Sequence, residues 1–101
     1  MKPLHCALAA GFLFAPQAAA QDASAAARNL SSSCAICHGT EGRPVTKDIM
    51  PLAGMPKEQI VSQMQAFRDG KRPATVMHQI AKGYPDAQVA AIAAWYAAQK
   101  K

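Results

Sequence analysis

Cys34-Ala35-Ile36-Cys37-His38 is the stretch on which the reading of this chain turns. Two cysteines in C-x-x-C spacing with a histidine directly behind them form the attachment signature of a c-type heme. The thiols can bond covalently to the vinyl-derived carbons of the porphyrin. The imidazole can then turn onto the iron as proximal ligand. A C-x-x-C followed by histidine also occurs as a thioredoxin-like redox pair or as half of a zinc site. The rest of the chain has to decide between them.

The N-terminus reads as a secretory signal peptide, residues 1–20. Lys2 supplies a positive start, Leu4 to Ala15 an apolar run, and Ala18-Ala19-Ala20 a small-residue cleavage site. The run is too short and wrongly flanked for a membrane span, so no transmembrane segment is expected. The expected mature domain is residues 21–101, in the periplasm, where heme c is attached. Cys6 leaves with the signal, and of the chain's 3 cysteines only Cys34 and Cys37 stay. A disulfide between them would close a tiny loop and do little for a whole domain.

A single domain of this size has a thin core. It is rich in Ala and Met but poor in large branched residues, and such chains need a staple, a metal or a cofactor. A covalently held heme would supply one large apolar body for the chain to wrap. The whole chain has 11 Lys and Arg against 6 Asp and Glu, a net of +5, of which Lys2 belongs to the leader. The cations are scattered, without a basic helix or interleaved aromatics, which excludes a nucleic-acid binder. Arg43, Lys57, Lys71, Arg72 and Lys82 suit an acidic surface on a redox partner.

No stretch reads as a strand, so the expected class is all-α. Asp22–Ser32 reads as a first helix, broken by Ser31-Ser32-Ser33, with the heme motif on a short turn behind it. Gly39 sits where a side chain would crowd the ring. Residues 40–56 carry three prolines and two glycines without periodicity, an irregular loop expected to fold over the heme face. Pro56-Lys57-Glu58 opens a second helix with an apolar stripe of Ile60, Val61, Met64 and Phe67, ended by Gly70. Thr75–Ala81 is a short helical turn. Asp86–Gln99 is the last helix, with Val89, Ile92, Trp95 and Tyr96 on its apolar side.

His38 is the expected proximal iron ligand, its other ring nitrogen donating to a backbone carbonyl in the loop around Pro51. The second axial ligand must come from the opposite face. Met50, Met55, Met64, Met77 and His78 are the candidates. Met64 belongs to an apolar helical stripe, and Met50 and Met55 flank the proximal loop. Met77, opening a short turn between helices, is favoured, with His78 or an open site as the alternatives. A zinc or thiol-redox protein is disfavoured, because the expected mature chain has two cysteines and offers an axial methionine.

These features resemble the class I cytochrome c family. The match rests on Cys34 to Gly39, on Met50-Pro51-Leu52-Ala53-Gly54, and on a methionine well after the histidine and ahead of an aromatic-bearing terminal helix. The resemblance implies a small fold around one covalent heme c, with Cys34 and Cys37 as attachment residues and His38 and Met77 on the iron. It implies that the Pro51 carbonyl receives the His38 N–H. It also implies that the first and last helices cross near Ala26, Leu30, Ile92 and Trp95, Ala26 replacing the usual glycine. Residues 65–72 and 74–84 are similar to the cytochrome subunit of flavocytochrome c sulfide dehydrogenase. That similarity implies an FAD-containing sulfide dehydrogenase flavoprotein as electron donor and a soluble cytochrome c-type acceptor. The heme protein would then be the non-catalytic subunit. A free-standing monoheme carrier for an oxidase or another dehydrogenase shares every one of the core features.

Overall fold

Three serines in a row look like a helix breaker, yet the first helix runs straight through them. The computed structural model describes Gly11 and residues 17–101, residues 17–22 by backbone alone. Most of the expected leader lies outside the described residues. Helix α1 spans Gln17–His38 and carries the whole C-x-x-C-H motif in its last turns. The expected break at 31–33 is therefore corrected. Ser31 Oγ donates to Ala27 O at 2.7 Å and Ser32 Oγ to Asn29 O at 2.7 Å, so the hydroxyls bond back onto the helix.

Gly39 ends α1 with φ of 82°. A Cβ there would collide with the Arg43 carbonyl and the Pro44 nitrogen. The glycine is thus required by the following turn, Thr40–Gly42. Three more helices follow: α2 Lys57–Arg68, α3 Met77–Lys82 and α4 Asp86–Ala97. Prolines 56 and 85 stand at the N-caps of α2 and α4, where a missing N–H costs nothing. No strand occurs among the described residues, and the architecture is all-α.

Helices α1 and α2 both pack on α4. The buried centre is Ile60, Ile92, Ala93 and Tyr96, with Leu30, Cys34, Met64 and Trp95 against it. Tyr96 is fully buried, and its hydroxyl donates to Ser31 O at 2.8 Å. Ala26 is exposed, so it is not the crossing residue; Ser31 is buried and Ala27 half-buried. The reason is phase. With α1 unbroken, the face towards α4 must be the one carrying Cys34, and helical periodicity counted back from Cys34 selects 31 and 27.

Residues 43–56 are irregular but tied down. Leu52 and Ala53 N–H both donate to Gly42 O, at 2.9 and 3.1 Å, and Gly54 N–H to Tyr96 O at 3.0 Å. Tyr96 thus joins α1, α4 and the loop. Replacing Tyr96 with Phe keeps the ring and deletes the bond to Ser31. A loss of about 1 kcal/mol is expected in denaturant unfolding of the mature protein, the usual worth of one buried hydrogen bond. No loss at all would show that the crossing is held by ring packing alone.

Candidate functional site

The end of α1, the loop, α2, α3 and α4 enclose a cavity of about 490 Å³. That volume lies within the roughly 300–1,000 Å³ of small-molecule and cofactor sites. The walls are mostly apolar, supplied by Leu52, Ile60, Phe67, Val76, Val89 and Ile92. The core beside it is small: Tyr96 and Ser31 are the largest side chains that are fully buried. The loop does fold over this cavity, as its length suggested, contributing Asp48, Ile49, Met50, Leu52 and Met55.

Cys34, Cys37, His38 and Met77 all line the same cavity. Cys34 is half-buried and Cys37 exposed, and both are free thiols. Burial pushes the Cys34 thiol up from its ordinary value, against the pull of the Ser33 hydroxyl. The Tyr96 phenol is also pushed up, chiefly by burial and then by the neighbouring Cys34. His38 Nδ1 donates to a carbonyl at 2.7 Å, but the carbonyl belongs to Met50, not Pro51. Pro51 is exposed and outside the lining. A proline steers the residue before it into extended backbone, so Pro51 acts one position away from the carbonyl that it helps to set. With Nδ1 occupied, Nε2 is the ring nitrogen left for a ligand.

Lining alone does not choose among the methionines, because Met50, Met55, Met64 and Met77 all reach the cavity. Their other contacts separate them. Met55 and Met64 pack against the core cluster, and the Met50 carbonyl is bonded to His38. Met77 opens α3 and belongs to neither group. His78 does not line the cavity; its Nδ1 is buried elsewhere without a hydrogen-bond partner.

The donors fit a heme rather than a bare ion. Two thiols, an imidazole and thioethers stand on apolar walls, which suits a porphyrin iron. No cluster of three or more His, Cys, Asp or Glu able to hold a metal occurs among the described residues.

Sequence reasoning missed Arg72 and Tyr84 as lining residues. Tyr84 Oη lies 2.6 Å from Ser33 Oγ, and Arg68 donates to Tyr84 O at 2.9 Å and pairs with Asp86 at 2.5 Å. These contacts tie α1, α2 and the start of α4 together at the cavity. Arg43, expected to face a partner, is exposed and is bonded to Glu41 at 2.6 Å and to Lys100 O at 2.5 Å.

No family model matches the chain. It is 34% identical over 79 residues to cytochrome c-554(548) of Halomonas halodenitrificans, covering 75% of this chain and 95% of that one. It is 37% identical over 99 residues to the thiosulfate dehydrogenase electron acceptor of Thiomonas intermedia, covering 97% of this chain but 46% of the relative. It is 38% identical over 68 residues to the cytochrome subunit of sulfide dehydrogenase of Chlorobaculum tepidum, covering 66% of this chain and 60% of that one. The chain thus spans nearly all of the first relative and about half of the other two.

Proposed function

Because this chain belongs to the class I cytochrome c family, we propose that it is a periplasmic electron-transfer protein of the free-standing monoheme kind. The observation that carries this reading is the convergence of Cys34, Cys37, His38 and Met77 on one apolar cavity. Heme c, joined by thioether bonds to Cys34 and Cys37, supplies one-electron Fe(II)/Fe(III) chemistry there. His38, its tautomer set by the Met50 carbonyl, would hold the iron through Nε2. Met77 would hold the iron through its thioether, a donor that would favour the reduced state. The apolar walls keep water from the site.

Arg43 is pinned and Arg72 lies in the cavity wall, so Lys57, Lys71 and Lys82, all exposed, are left to meet an acidic partner. Exposed Met50, Val76 and Ile80 also border the cavity, giving the partner apolar contact beside the site.

The narrower expectation was a subunit of a sulfide-oxidising flavocytochrome. The relatives spread over several partner-specific cytochromes, including an acceptor from thiosulfate dehydrogenase and a subunit of sulfide dehydrogenase. The relative covered almost end to end carries neither description. A free-standing carrier for an oxidase or another dehydrogenase is therefore the better-supported reading, with the flavoprotein subunit as the second. Affinity isolation of the tagged chain from periplasm, with flavin and heme spectra taken on the eluate, separates them. A carrier is expected to elute with heme and without flavin. Flavin eluting in proportion to heme would replace the carrier reading with the subunit reading.

A further inference from the structure

Arg72 is placed differently from the other arginines whose partners are visible. Arg43 and Arg68 are paired with Glu41 and Asp86. Arg72 is half-buried, lines the apolar cavity and forms no ion pair among the described residues. Its guanidinium carbon stands 4.7 Å from the centroid of the Phe67 ring, which lines the same cavity.

The backbone aims it there. Helix α2 closes with Lys71 N–H on Ala66 O at 2.9 Å and Gly70 N–H on Phe67 O at 3.2 Å, with Gly70 at φ 73°. This is the glycine-ended helix stop with paired back-bonds. It folds residue 72 back along the helix, and Arg72 N–H also reaches Ala66 O at 3.2 Å. Pro73 then prevents the helix from resuming. Turn and ring together hold the cation in the wall before any ligand arrives.

A permanent cation in a mostly apolar wall calls for an anion. Asp48, the one acidic residue of the lining, is exposed and makes no ion pair with it. The guanidinium fork matches a carboxylate. Heme carries two carboxylates on an otherwise apolar body. On the reading of this cavity as a heme site, we propose that Arg72 binds a heme propionate, with Phe67 as its platform, and thereby raises the reduction potential. The positive charge offsets a propionate charge that would otherwise favour Fe(III).

The test is a redox titration of the mature heme-bearing protein and of Arg72→Gln and Arg72→Lys. Arg72→Gln is expected to shift the reduction equilibrium about tenfold towards the oxidised state, about 59 mV for one electron. Arg72→Lys should restore most of that shift, with the axial-ligand spectrum intact in both variants. An unchanged potential in Arg72→Gln with an intact spectrum overturns the proposal and leaves the heme reading standing. Absence of covalent heme in the wild-type chain overturns the reading itself. Should Arg72→Gln fail to mature, proton NMR of the reduced wild-type protein decides. Cross-peaks between propionate methylenes and the Arg72 side chain are expected, and their absence overturns the pairing. An arginine used only for docking would alter partner rates and their salt dependence without moving the potential, and that result overturns it too.

Discussion

Replacing both Cys34 and Cys37 with serine is expected to abolish covalent heme and, with it, cooperative folding. The size of the effect follows from the ratio of cavity to core. The buried apolar set among the described residues is Ala53, Ile60, Ala81, Val89, Ile92, Ala93 and Tyr96, of which three are alanines. Beside it lies a cavity of about 490 Å³. Without a group to fill that space its apolar walls stay wetted, and each large apolar side chain denied burial forfeits about 1.5–3 kcal/mol. The whole stability of a domain is about 5–15 kcal/mol. The walls cannot close the gap by small shifts, because they come from all four helices and the loop. The serine variant should show no heme stain after denaturing electrophoresis. Its circular dichroism should melt without a sharp transition, whereas the wild-type heme protein melts cooperatively. A serine variant that melts at the wild-type midpoint would mean that the chain folds without its cofactor, and the argument from the thin core would fall.

The pentapeptide at 34–38 pointed to heme attachment by spacing alone, because covalent attachment demands a fixed local spacing, and its two cysteines and histidine do line one cavity. Helices α2 to α4 were legible to within one or two residues, since Pro56, Gly70, Gly83 and Pro85 mark their ends with strong backbone preferences. What escaped is what depends on side chains choosing between local and helical hydrogen bonds. Ser31, Ser32 and Ser33 can compete with a helix or bond back onto it, and composition does not say which. The same error displaced the crossing from Ser31 to Ala26, since an interrupted α1 has no phase to count from. The Met50 carbonyl escaped because a backbone acceptor carries no side-chain signature; only Pro51 next to it does. Arg72 looked like any surface cation, although Gly70 two residues earlier was the sign of a turn that folds it back over Phe67.

Replacing Met77 with Ala is expected to leave the thioether bonds at Cys34 and Cys37 intact and to lower the reduction potential sharply. Axial ligation sets heme potentials over about 0.8 V, and loss of a thioether that favours the reduced state should account for a drop on the order of 0.2 V. The ferric methionine-to-iron absorption should vanish at the same time. Met64→Leu is the matched control. It also alters a methionine of the cavity wall, but Met64 is packed on the core cluster and leucine keeps most of its volume. Its ferric band should persist. His78→Gln tests the neighbouring candidate: His78 lies outside the lining, so its substitution should spare the band as well. The three results together place the ligand on a single sulfur. A band that survives in Met77→Ala and disappears in Met64→Leu would move the second axial ligand from the start of α3 to the middle of α2. The irregular segment between those helices would then serve to carry Arg72 and Val76 to the cavity rather than to present a thioether.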